Sequence, residues 1–341
     1  MNDKLSLLAL TLVLFLPMLS ASPGAGANSD QLPKPYGQGS YIPSKFGKLY
    51  YEEEGAGTPV VMINGGPGAS RTVFWGALDF LKPYNYKIVY FDETGVGRST
   101  RNIPETFSPK ITVQDIETLR KHLDVNKIVL AAHSYGGIPA LQYAIQYPQN
   151  VEKLIMLSAS ADGISQQMNV DAAKYLRRTF FPQEWEALEK IRAKGVLSSE
   201  KEYSKPFYDR KMGNVSDWHD PKNRAKLRKY RSTDQRDRFN IEVYRDIAGN
   251  DPEVEITGTL KDIVVNKETL KSFNVPTLIL NGRIDWKTTP QMAYRFYKML
   301  PEGVGRLEFL EKTGHWTWAE EPDKFAEIVI RFLGSDSPPE I

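Results

Sequence analysis

The sequence predicts an α/β fold: a mostly parallel central sheet with helices on both faces and a helical cap inserted late in the chain. Three observations carry that expectation. Apolar β-forming runs alternate with helix-length segments, the order that builds parallel sheets. The runs are near-continuously apolar, as strands covered on both faces are. The rhythm then breaks from about Asp162 to Lys261, a polar stretch without strong strands, and resumes afterwards.

Composition bounds the rest. The chain has 341 residues, 41% hydrophobic and 25% charged, an ordinary globular make-up with ample material for a core. A formal net charge of +2 gives no bulk argument for a nucleic-acid partner, and none is expected. There is no cysteine, so neither disulfides nor cysteine-based zinc sites exist. The four histidines (His122, His133, His219, His315) include no H-E-x-x-H spacing, so neither a metal nor a cofactor is expected.

The elements follow in order. "MNDKLSLLALTLVLFLPMLSASPGAGANSD" joins a short polar start, an apolar run from Leu5 to Leu19 and an A-x-A pattern at Ala25-Gly26-Ala27. Residues 1–27 therefore read as a cleaved signal peptide, with an uncleaved anchor as the alternative. Export to the periplasm or medium is expected, with no stable membrane insertion after cleavage. A Pro/Gly linker leads to the strand pair "GKLYYEEEG" and "TPVVMINGGPG". A helix-like stretch, Arg71–Leu81, precedes the strand "YKIVYFDE" and an amphipathic helix around Val113–Leu123. Next come the strand "KIVLAAH", a helix over Ile138–Tyr147 and the strand "VEKLIMLSAS". After the insertion stand "VPTLILNGRID", a helix over Gln291–Met299, "GRLEFLEK" and a last helix near Lys324–Leu333. The expected division is a core of 28–161 and 262–335, a cap of 162–261 and a disordered tail of 336–341. The basic run 222–238, broken by Asp234 and Asp237, reads as a solvated helix face.

The chemistry concentrates where strands end. In "KIVLAAHSYGG" an apolar run stops at a small residue, then His133, Ser134, Tyr135 and two glycines. That pattern suits a sharp strand-to-helix turn exposing a serine, with small residues two before and two after it. Ala132 stands where glycine is usual, and its size meets the steric demand. Taken alone, the motif equally fits a serine capping a helix. A nucleophilic serine needs a base, and the base an orienting acid, in the order Ser, Asp, His for this architecture. Asp285 lies just past one buried strand and His315 just past the next. All three fall at the carboxyl edge of the sheet, where open α/β sheets bind ligands. An oxyanion site needs inward-facing N–H groups. Tyr135, after the serine, and the glycine loop "INGGPG" (Ile63–Gly68) are the candidates.

Together, "GGPG" at 65–68, "FDETGVGRS" at 91–99, "AHSYGG" at 132–137, "NGRIDWKTTP" at 281–290 and "GHW" at 314–316 resemble the proline iminopeptidase (prolyl aminopeptidase) family of α/β-hydrolases over roughly residues 40 to 335. The resemblance implies the α/β-hydrolase fold and a serine exopeptidase with Ser134, Asp285 and His315 as triad. It implies Gly66 and Tyr135 as the oxyanion hole. Two positions depart from the family pattern: Asn64 replaces a histidine and Glu93 a glutamine. An aminopeptidase must hold a free ammonium, and a partly desolvated carboxylate does so. The segment 240–262 concentrates Glu242, Asp246, Asp251, Glu253 and Glu255. The resemblance places Glu253 at the amine-binding position, with Glu242 and Asp246 as candidates for a second acid. Tyr203, Phe207, Tyr208 and Trp218 are expected to line an apolar pocket.

The expected activity is release of an N-terminal residue, proline preferred, from short peptides through an acyl-enzyme. The alternative is an esterase, lactonase or amidase using the same three residues. The partner in either case is a small peptide, ester or amide, and the sequence leaves the oligomeric state open.

Overall fold

The computed structural model describes residues 36–209, 217–228 and 232–334. The segments expected to be a signal peptide (1–27) and a tail (336–341) lie outside them. Eight strands form one sheet in the order β1-β2-β4-β3-β5-β6-β7-β8. They are β1 (Ser40–Ser44), β2 (Gly47–Gly55), β3 (Thr58–Ile63), β4 (Tyr86–Asp92), β5 (Ile128–Ser134), β6 (Val151–Ala159), β7 (Thr277–Gly282) and β8 (Gly305–Leu310). β1 and β2 run antiparallel at one edge, and every pairing from β4 to β8 is parallel.

Strand alternation splits the core in two. Val61, Ile63, Leu130, Ala132, Leu154 and Met156 face one apolar cluster. Val60, Met62, Val129, Ala131, Ile155 and Leu157 face the other. Successive side chains point to opposite faces, and both faces are covered. That is why β3, β5 and β6 carry continuous apolar runs instead of alternating ones.

On the first face pack α1 (Pro109–His122) and α2 (Gly137–Gln146). α1 starts with proline at its first turn and ends on Arg120, Lys121 and His122, the two cations suiting a helix C-terminus. Among the described residues no strand lies between β6 and β7. The helices there are α3 (Gly163–Phe180), α4 (Pro182–Arg192), α5 (Lys201–Asp209), α6 (Arg224–Arg228) and α7 (Ile241–Ala248). Asp162 opens α3 as a capping box with Ser165, its carboxylate accepting the Ser165 N–H at 2.7 Å. α8 (Pro290–Tyr297), α9 (Thr317–Glu320) and α10 (Pro322–Leu333) complete the fold.

Two local expectations change. Arg71–Leu81 is not one helix but two 3-10 turns, Arg71–Phe74 and Asp79–Tyr84. Gly76 lies between them at φ +80°, outside helical space, and Pro83 removes a donor. The region taken for linker contains β1. Its Pro43 is tolerated because an edge strand leaves one side unpaired. Among the described residues no helix is long and apolar enough to cross a membrane.

Candidate active site

β5 ends at Ser134 and α2 begins at Gly137, so the chain reverses in a very short turn. Ser134 takes the left-handed region at φ +57°, uncommon for a residue with a side chain. The Gly136 N–H closes the turn on the His133 carbonyl at 2.8 Å. A Cβ on Gly136 would stand 2.4 Å from the Asn64 carbonyl oxygen and 2.6 Å from that of Ile63. A Cβ on Gly137 would stand 2.6 Å from the Ser160 oxygen. Close backbone approach therefore requires both glycines. Ala132, fully buried against the core, is accommodated with its methyl.

Asp285 and His315, the expected acid and base, lie in the loops after β7 and β8. His315 Nδ1 lies 2.9 Å from Asp285 Oδ2, both groups buried. The Asp285 carboxylate accepts three further bonds: Thr288 Oγ1 at 2.7 Å, and the backbone N–H groups of Lys287 and Thr288 at 2.7 and 3.0 Å. Burial pushes Asp285 up, but the His315 ring and the Thr288 donors outweigh it and hold the carboxyl below its ordinary value. With Nδ1–H donated to the carboxylate, His315 keeps Nε2 as an acceptor. Thr288 was missed in the sequence reading, although a threonine three residues after an aspartate is a ready side-chain partner for it.

The loop that carries His315 is itself clamped. The His315 N–H donates to the Asp217 carbonyl at 2.8 Å, and Gly314 N–H to Glu320 Oε2 at 2.6 Å. His133 Nε2 donates to the His315 carbonyl at 3.0 Å, its ring 4.4 Å from that of His315. Burial holds His133 well below its ordinary pKa, so it stays neutral. His122 closes α1 and contacts Tyr51 Oη at 3.0 Å, far from this cluster.

Gly66 adopts φ +118°, a left-handed position that glycine suits. Just before it, Asn64 and Glu93, the two departures from the family pattern, bond to each other. Glu93 Oε1 accepts the Asn64 N–H at 2.9 Å and Oε2 accepts Asn64 Nδ2 at 2.6 Å. Burial pushes Glu93 up to about 8 against these donors. The pair anchors the root of the glycine loop.

Ser134, His315, Gly66, Tyr135 and Glu253 line one cavity of about 460 Å³, together with Tyr203, Phe207 and Trp286. Trp218 stacks instead on Trp316, with ring centroids 5.9 Å apart. The Tyr208 side chain lies outside what the structure describes. Glu253 is not a lone carboxylate: Arg177 donates to its Oε2 at 2.5 Å, and Lys287 Nζ stands 3.9 Å from its Oε1. Burial raises Glu253, but the two cations outweigh it and hold it at about 2. The structure does not bring the candidate second acids here. Glu242 is exposed beside Arg245, and Asp246 accepts the Phe107 N–H at 2.9 Å. The acid that does join Glu253 on the wall is Asp217, together with the cations Arg177 and Lys287. Sequence reading had no signal for them, since more than thirty residues separate each from Glu253. Among the described residues no cluster of three His, Asp or Glu side chains is arranged to hold a metal ion.

A serine on a left-handed strand-to-helix turn at the sheet's carboxyl edge, with a bonded Asp–His pair from the loops after β7 and β8, marks out a class. The sequence model of the α/β hydrolase fold matches residues 58–322, and the chain belongs to that family. Its relatives include the proline iminopeptidase of Clostridium botulinum, 28% identical over 302 residues, covering 87% of this chain and 98% of the relative. That of Saccharolobus solfataricus is also 28% identical, over 83% and 87%. Among solved structures, the Mycobacterium smegmatis proline iminopeptidase superimposes with a TM-score of 0.69 at 20% identity, over 87% of this chain and 98% of that one. VinJ superimposes with a TM-score of 0.70 at 25% identity, over 88% and 99%.

Proposed function

We propose that this chain is a serine hydrolase that removes the N-terminal residue, proline preferred, from short peptides. The observation that supports it most is the 2.9 Å Asp285–His315 pair sharing a cavity with Ser134 on its left-handed turn. The curated relatives point the same way. His315 Nε2 takes the Ser134 Oγ proton as Oγ attacks the carbonyl carbon of the first residue. The resulting oxyanion accepts hydrogen bonds from the Gly66 and Tyr135 N–H groups. The C–N bond breaks, and the leaving amine takes the proton from His315. Water then attacks the acyl-enzyme, gives its proton to His315, and the freed amino acid leaves as Ser134 recovers its hydrogen. Asp285 keeps the imidazole in the required tautomer throughout. A panel of aminoacyl-naphthylamides tests the reading. Proline is expected to give the highest kcat/KM, and S134A no turnover. Faster cleavage of simple esters with no naphthylamide cleavage would reject it.

The second reading, an esterase, lactonase or amidase, is favoured by one observation: Arg177 already neutralises Glu253. E253Q separates the two. It is expected to cripple aminoacyl cleavage and spare p-nitrophenyl acetate if Glu253 holds the substrate amine. We also propose export with removal of residues 1–27, which N-terminal sequencing of the protein recovered outside the cytoplasm would check.

A further inference from the structure

One wall of the cavity that holds Ser134 carries a row of alternating charges: Arg177, Glu253, Lys287 and Asp217. Their fixity differs. Arg177 is 2% exposed, bonded to Glu253 and set over the Phe207 ring at 4.7 Å. Lys287 is 22% exposed; its Nζ lies 3.8 Å from Asp217 Oδ1, 3.9 Å from Glu253 Oε1 and 5.5 Å from the Phe207 ring centroid. The two carboxylate separations are ion pairs but too long for hydrogen bonds. Asp217 Oδ1 is buried and accepts no hydrogen bond from the described residues. An ammonium thus sits between two carboxylates on a flexible four-carbon stem that reaches solvent.

We propose that Lys287 is a specificity-determining residue: in the substrate-free enzyme its ammonium holds the position between Asp217 and Glu253 that a ligand's α-ammonium takes. Charge balance supports the exchange. Among the described residues the row balances two cations against two anions. A ligand ammonium entering beside Lys287 would leave one uncompensated positive charge in a partly desolvated cavity, which is unfavourable. If Lys287 swings out to water, the ligand replaces it and neutrality is kept. The location also suits an α-amine, which lies two bonds from the reacting carbonyl carbon. The Asp217 backbone carbonyl accepts the N–H of His315, so the segment that carries this carboxylate is tied to the His315 loop. Lys287 therefore acts as a tethered competitor that weakens the binding of every free amine and sets a threshold only well-fitting ones pass.

The inference rests on the aminopeptidase reading only for the identity of the ligand, and its test does not need turnover. Calorimetric titration of L-prolinamide into the wild type, K287M, K287R and the K287M/D217N double variant measures the exchange directly. K287M is expected to bind about tenfold more tightly than the wild type. K287R, which keeps the charge, is expected to stay weak, and the double variant to lose the gain. N-acetylprolinamide, which carries no ammonium, should bind wild type and K287M alike. Equal or weaker prolinamide binding by K287M, or no binding by any variant, overturns the proposal. If proline naphthylamide is cleaved while K287M and wild type bind alike, this inference fails and the aminopeptidase reading stands. If K287M tightens but no naphthylamide is cleaved, the reading fails and the ammonium site stands.

Discussion

Thr288 shows how much of the acid's behaviour lies in one neighbouring side chain. Asp285 is buried, and without donors it would be costly to keep ionised. Thr288 Oγ1 supplies one of its four bonds. A hydrogen bond to a charged group contributes roughly 1.5–3 kcal/mol. T288V is therefore expected to lower kcat about tenfold or more with little change in KM, read by steady-state kinetics; an unchanged kcat would remove Thr288 from the site. Two other carboxyls carry a pH signature. Burial raises Glu93 from 4.5 to about 8 and Asp115 from 3.8 to about 7. Below the ordinary values both folded and unfolded chains hold these protons. Between there and about 8 the unfolded chain has released protons that the folded chain still binds. These groups thus make stability fall as pH rises through that window and leave it level above, by at most about 1.4 kcal/mol per pH unit for each group. Urea unfolding from pH 5 to 8 should show a shallower fall in E93Q and D115N than in the wild type, and equal slopes would contradict the assignment. Of the candidate site, the placing of Ser134, Asp285 and His315 at strand ends was legible because each follows a short apolar run of strand length. The Asn64–Glu93 pair was not, since a contact between residues 29 apart leaves no local pattern.

At the scale of elements, the β5–α2 turn is where sequence and geometry constrain each other most tightly. Gly136 lies at ordinary helical angles, φ −56°, so its need for glycine is one of space and not of conformation. G136A puts a methyl against the backbone of Ile63 and Asn64, which cannot retreat without moving β3. Overpacking costs roughly 1–3 kcal/mol, and the glycine loop moves with it. G136A is expected to lower the unfolding midpoint and to abolish turnover, whereas Ala132→Gly should retain activity. A fully active G136A would contradict the close approach. The central strands were readable because burial on both faces forces continuous apolar runs. β1 was hidden by Pro43, which looks like a linker residue until the strand's edge position is known. The two 3-10 turns after β3 were hidden because Phe74, Leu78 and Leu81 keep helical spacing across a glycine that breaks the helix.

Over the whole molecule, the segment between β6 and β7 is joined to the sheet by buried charge. Arg71 is fully buried and bonds Glu52 on β2 at 2.8 Å, Asp92 on β4 at 2.6 Å and Asp237 at 3.0 Å. Arg98 also reaches Asp237, at 3.2 Å. Asp237, read in the sequence as a break in a solvated basic run, is instead a buried partner of two arginines. The runs of lysine and arginine around it gave no cue, because the partners lie more than a hundred residues away. D237N leaves Arg71 two other carboxylates, so the expected loss is about 2 kcal/mol, read as a lower urea midpoint. No change would mean the segment is held by apolar contacts alone. The account as a whole turns on Ser134 being the nucleophile that this arrangement serves. Fluorophosphonate treatment followed by peptide mass mapping measures that most directly. A single adduct on Ser134, absent from S134A and strongly slowed in H315A, is the predicted result; no adduct, or one on another residue, would contradict it.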